Sequence, residues 1–224
     1  MEDDKGRQIR VGRRERTAVV DGVEAWRGTV RRADPVDGER AQLFALLGRL
    51  LADVPDAPLL RRLAALSPDA SPVGQALRGL AAAAAATSST ALEREFFALF
   101  IGVGRGELLP YASYYRTGFL HERPLAELRG DLARLGIARA PDVAEPEDHI
   151  AFLCESYAGL LDGGLGAATP AGADAFLARH IQPWAGRFFA DLERAEAARF
   201  YRAVGALGRL AMEIEAAAAE LPAG

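Results

Sequence analysis

The sequence predicts an all-α fold, a single compact bundle of about eight to ten helices. It spans residues 39–224 behind a polar tail at 1–38. Three observations predict it. From about residue 39 the apolar residues recur at helical spacing almost without interruption. The interruptions are prolines, glycines and capping residues, and no alternating run or internal repeat competes with them. Half of the 224 residues are hydrophobic, enough for a core of ordinary domain size.

The tail is rich in Arg, Asp, Glu and Gly and is expected to be mobile. Within it Thr17–Val20 and Val23–Trp26 flank Asp21-Gly22, a hairpin signal that competes with disorder. Leu43, Leu46, Leu47, Leu50 and Leu51 then mark a first helix, stopped by the prolines between Asp53 and Pro58. A short helix follows around Leu59–Leu66 and another from Pro72 into the alanine run Ala81–Ala86. That run has high helix propensity but little to bury, so it is expected to fray into a linker. Thr90-Ala91-Leu92-Glu93 fits a capping box for a helix whose stripe is Leu92, Phe96, Leu99 and Phe100. Gly102, Gly104 and Gly106 end it, and Pro110–Tyr115 forms a loop or a turn into a short helix. Pro124 opens the next helix, with Leu125, Leu128, Leu132 and Leu135 inward and Gly136 as its stop. Glu145-Pro146-Glu147-Asp148 suits the first turn of a helix with Ile150, Leu153, Tyr157 and Leu160 on its apolar face. After a break at Gly163–Gly166, further helices are expected at about 171–180, 183–196 and 198–219. The last carries a seam of Phe200, Val204, Leu207, Ala211 and Ile214.

Composition excludes several classes. A net charge of −4 does not suit a nucleic-acid binder. The single cysteine, Cys154, rules out an internal disulfide and a multi-cysteine metal site, and it reads as a small buried hydrophobe. No run of about 18 apolar residues offers a membrane span. The charged first residues lack the apolar stretch of a secretory signal, so the expected location is the cytoplasm. His121, His149 and His180 include no i, i+4 pair, and there is no nucleophile elbow, so neither a metal nor a cofactor is expected.

Three features remain. Gly102-Val103-Gly104-Arg105-Gly106 follows a helix rather than a strand, which suits a flexible terminus or a groove wall and not a nucleotide loop. Glu145–His149 is open to three readings: acid–base chemistry by Asp148 and His149, a helix cap with first-turn acids, or a polar rim beside an apolar groove, where Glu145, Glu147 or Asp148 meets a ligand's arginines. Tyr111, Tyr114 and Tyr115 flank a proline loop, as core or as a pocket lining whose hydroxyls stay wet.

At these residues the chain resembles a known family. Glu95–Gly104 (EFFALFIGVG) is similar to the E-[FY]-x-x-L-F-x-G-x-G signature of the TorD/DmsD/NarJ-type chaperones. Pro110–Tyr115 (PYASYY), Glu145–His149 (EPEDH), His180–Trp184 (HIQPW) and Ala198–Tyr201 (ARFY) resemble that family's other segments, in the same order. The chain departs from the pattern at Val103, where a proline is common, and at Leu109-Pro110, where two prolines are common. Arg105 and Glu107 also make this loop more polar. The resemblance implies an all-helical protein without catalytic turnover or cofactor, monomer or dimer. Its implied partner is an apo-molybdoenzyme subunit, of formate dehydrogenase or another molybdenum-enzyme type, and that subunit's twin-arginine signal peptide. Carried over by position, the peptide-binding residues are Phe96, Leu99, Phe100, Tyr111, Ser113, Tyr114, Asp148 and His149, with Glu145 as the rim carboxylate. Two alternatives are an assembly scaffold for the mature client and a small hydrolase using Asp148 and His149.

Overall fold

The computed structural model describes residues 7–9, 35–141, 143–165 and 170–220, among which there are ten α-helices. Helix α1 (Pro35–Ala52) starts before the expected boundary and buries Phe44, Leu47, Leu50 and Leu51. Asp56 caps α2 (Ala57–Ala64), its side chain accepting from the Leu59 N–H at 2.9 Å. Ser71 caps α3 (Pro72–Ala86) through the Gly74 N–H at 3.0 Å. The alanine run does not fray: it is helical to Ala86, with Ala81 and Ala84 buried. Small side chains let α3 lie close against the last helix, so burial is gained by approach rather than by side-chain size.

Helix α4 (Ser89–Phe96) is capped by Ser88, not by Thr90; the Ser88 hydroxyl reaches the Ala91 N–H at 3.2 Å and Thr90 falls inside the first turn. A π-helical turn, Phe97–Ile101, continues it to Gly102. Then come α5 (Ala112–Thr117) and α6 (Arg123–Arg134). The absence of strands is corrected here: β2 (Ile137–Arg139) pairs in parallel with β1 (Arg7–Ile9), Arg7 opposite Ile137 and Ile9 opposite Arg139. Three residues are too few to show a period, and the partner lies far away in sequence. The rest of the expected tail, including the Thr17–Trp26 hairpin, lies outside the described residues.

Helix α7 (Ile150–Leu161) begins later than expected, with His149 as its cap, and buries nearly its whole circumference, Cys154 included. Helix α8 (Pro170–Phe176) runs on into a second π-helical turn, Leu177–Ile181. Helices α9 (Ala185–Arg194) and α10 (Phe200–Ala219) pack on each other, and α10 also meets α3. Trp184 is buried and donates its ring N–H to the His180 carbonyl at 2.8 Å. The α10 seam differs from expectation at one end: Ile214 is exposed and Glu215 is buried. Glu215 accepts from Arg40 at 2.9 and 2.7 Å, and Arg40 also reaches Asp37 and Asp174, each at 2.8 Å. Such a network repays the burial of a carboxylate, which no apolar neighbour could do.

The most extensive helix contact is α1 on α7. It depends on Gly48, where a Cβ would stand 2.7 Å from Glu155 Cγ and 3.1 Å from the Ala151 carbonyl. Burial raises the Glu155 carboxyl from 4.5 to about 7, against a lowering by the Arg49 charge. The unfolded chain therefore releases this proton first. The stability it confers is complete below about pH 4.5 and is lost as pH rises through 7. Glu155→Gln, which cannot ionise, is expected to match the wild type near pH 4 and to exceed it by about 2–3 kcal/mol near pH 8. Urea unfolding at the two pH values checks this.

Candidate functional site

The chain between α4 and α5 is folded back on itself. Gly102 has φ +64°, and a Cβ there would run into the Arg105 carbonyl, so only glycine closes the turn. Leu108 N–H then donates to the Leu99 carbonyl at 2.8 Å, and Glu107 N–H to the Ala98 carbonyl at 3.1 Å. This directs Pro110–Ser113 onto the segment before α7. There Tyr111 and His149 form an antiparallel bridge: Ala112 N–H donates to the Asp148 carbonyl at 3.0 Å and Ile150 N–H to the Pro110 carbonyl at 2.9 Å.

The bridge brings together Tyr111, Ser113, Glu145, Asp148 and His149. Asp148 is 1% exposed, and its Oδ2 accepts from the Ser113 N–H at 2.8 Å, capping α5 from across the fold. His149 is buried, and its Nδ1 accepts from the Ala151 N–H at 3.2 Å, capping α7. Burial pulls the imidazole down to about 4, outweighing the opposite pull of Glu145 and Asp148. The Ser113 hydroxyl is buried with no hydrogen-bond partner among the described residues. Glu147 is held by Arg129 at 2.8 Å and Arg139 at 3.5 Å. Glu145 is the exposed acid of the group, touched by the Tyr111 hydroxyl, and the Tyr111 ring lies 5.1 Å from the His149 ring, edge on. Burial and the Glu145 carboxylate push the Tyr111 hydroxyl well above its ordinary range, so it stays a donor.

Phe96, Leu99 and Phe100 fall in a different cluster. Leu99 is fully buried, and Phe96 and Phe100 pack on each other at 5.0 Å and on Tyr201 at 5.8 and 5.3 Å. Tyr114, half-buried, meets Tyr115, which sits on Trp184 and Phe188 in a third aromatic group. Sequence reasoning offered Gly102–Gly106 as a groove wall but not the apolar face beside it: Phe97 is 45% exposed and Ile101 53%, next to Val103 at 97%. The spacing of Phe97 and Ile101, off the Phe96–Leu99–Phe100 stripe, was the available signal. It also assigned no role to Glu95, which is buried and accepts the N–H groups of Arg199 (2.7 Å), Phe200 (3.1 Å) and Tyr201 (2.7 Å) at the start of α10. Two of the motifs are thus joined by one carboxylate.

The family profile of the nitrate reductase delta subunit matches residues 67–190, more than half of the chain. The chain belongs to this family, the TorD-like one that its motifs resemble. It is 36% identical over 63 residues to the chaperone protein TorD of Aliivibrio fischeri, covering 27% of this chain and 29% of that one. It is 30% identical over 125 residues to the chaperone protein TorD of Vibrio cholerae, covering 52% and 56%. The chain thus spans at most about half the length of these curated relatives. A crystal structure from Archaeoglobus fulgidus, assigned as a redox enzyme maturation protein, shares the fold with a TM-score of 0.53 at 19% identity. That match covers 84% of this chain and 99% of the other.

Two expectations follow from the caps. Asp148→Ala leaves the Ser113 N–H buried without its acceptor and should lower unfolding stability by about 1–3 kcal/mol, read by urea titration. His149 stays neutral when folded but takes a proton near pH 6.5 when unfolded, so stability falls as pH drops below that value toward about 4. His149→Asn keeps a capping acceptor and removes the titration, so thermal midpoints between about pH 4 and 7 should fall less steeply than in the wild type.

Proposed function

We propose that this protein is a cytoplasmic maturation chaperone without turnover. It binds the twin-arginine signal peptide, and the apo form, of a molybdoenzyme of formate dehydrogenase type, and it assists cofactor insertion before export. The relatives named as TorD chaperones support the class. The observation that carries the reading is the exposed Glu145 carboxylate, oriented by Tyr111 at the edge of a segment that Asp148 and His149 lock in place. A leader's guanidinium meets Glu145 in a charge-assisted pair. Its apolar stretch is covered by the exposed Phe97, Ile101 and Val103, which precede Tyr111 by one short loop. Asp148 and Glu147 stay with their present partners, so the ligand's arginines are assigned to Glu145 alone. The hydrolase alternative is not supported: Asp148 and the Nδ1 of His149 are both bound to backbone N–H groups and buried.

Ordering a flexible peptide offsets much of the contact energy, so affinity on the order of micromolar is expected. Calorimetry should show Glu145→Gln weakening the binding of a synthetic twin-arginine leader peptide of a molybdoenzyme by about fivefold or more, with far-UV circular dichroism unchanged. A leader that binds the variant as well as the wild type removes Glu145 from the site. Binding of the apo-enzyme body but not of its leader would instead make the protein an assembly scaffold.

A further inference from the structure

Away from that site, two shallow clefts share Arg202 and form one trough along the first half of α10. The first, of about 630 Å³, lies among α3, α4 and α10; Ala83, Ala86, Ala91 and Ala98 line it beside Arg94 and Arg199. The second, of about 570 Å³, lies between α9 and α10 beside Arg194 and Arg209. In a chain of net charge −4, this wall is locally basic. Its two carboxylates are already committed: Glu95 to the N–H groups of Arg199, Phe200 and Tyr201, and Glu193 to Arg209 at 2.8 Å. Arg194, Arg199 and Arg202 donate only to the carbonyls of Ala190 (2.9 Å), Glu196 and Ala198 (2.9 and 2.8 Å), and Ala198 (3.3 Å). Neither these three nor Arg94 has a carboxylate within ion-pair distance among the described residues.

We infer that this trough docks an acidic, small-residue peptide segment of a protein partner. Charge complementarity selects the occupant. Guanidinium forks pair carboxylates bidentately, and the alanine floor admits a backbone at close range. Arg94, Arg194, Arg199 and Arg202 are the guanidiniums left for such a segment, because Arg209 is held by Glu193 at 2.8 Å and Glu213 at 2.6 Å. A phosphate would want backbone N–H donors, but those at Glu196 and Ala197 go to Glu107 and those from Arg199 to Tyr201 go to Glu95. A nucleic-acid strand would want exposed rings to stack on, and Phe200, the one ring in the wall, is buried. A basic leader is repelled, so the trough and the Glu145 rim take ligands of opposite sign and the inference does not rest on leader binding.

The test is fluorescence anisotropy with the full chain and a labelled alanine-rich peptide carrying several glutamates. Saturable binding that weakens with added salt is expected, with at least about a tenfold loss in Arg94→Glu/Arg202→Glu. Both arginines are exposed, so circular dichroism should be unchanged. Ala98→Trp, which fills the cleft without altering charge, should also block binding. No saturable binding, equal binding of the glutamine version of the peptide, or indifference to charge reversal overturns the inference. So does displacement of the peptide by sub-millimolar inorganic phosphate, which would mark a simple anion site.

Discussion

Helix α7 is buried around nearly its entire circumference, and the rest of the structure is arranged to make that possible. A buried helix cannot leave its first N–H groups to water, so its start must be capped by the protein itself. His149 supplies one acceptor from its own ring, and the Pro110 carbonyl supplies another from a distant loop. The second of these pins the Pro110–Ser113 segment against Asp148, whose carboxylate in turn caps α5. The surface that carries Tyr111 and Glu145 is therefore a by-product of solving the hydrogen bonding of a core helix.

The same solution recurs. Glu95 on α4 caps α10, and Glu107 takes the N–H groups of Glu196 and Ala197 in the turn before it. Acids that stand out in the motifs are thus long-range caps more often than ligand contacts. A carboxylate suits the task because it can accept several N–H bonds at once and favours the positive end of a helix. What the caps leave exposed is small: Glu145 with Tyr111 on one side, and Phe97, Ile101 and Val103 at the π-helical turn. Rigid caps beneath exposed side chains are how a surface keeps its shape while its ligand remains flexible.

Charge is divided between two surfaces. Glu145 presents a carboxylate at the rim of the bridge between Tyr111 and His149, whereas the wall along α10 presents arginines over alanines. An overall charge of −4 conceals this division, because the acids along the wall are engaged: Glu95 with the N–H groups that start α10, and Glu193 and Glu213 with Arg209.

By itself the sequence determined the fold class, most helix positions and the family. These rest on local periodicity, on caps such as Asp56 and Ser71, and on motif order. It also brought Tyr111, Ser113, Glu145, Asp148 and His149 into one list, and these do meet. Only the tertiary structure decided what each of them does. Whether Asp148 faces a ligand or a Ser113 N–H depends on which orphan donor lies nearby, and that donor belongs to another element of the chain. Burial of Glu215 in place of Ile214 depends on Arg40 arriving from α1, and the β1–β2 pairing depends on two three-residue segments that are far apart in the chain. Local pattern reports which face of a helix is apolar; the partner that satisfies a buried polar group is a long-range fact, visible only once the chain is folded.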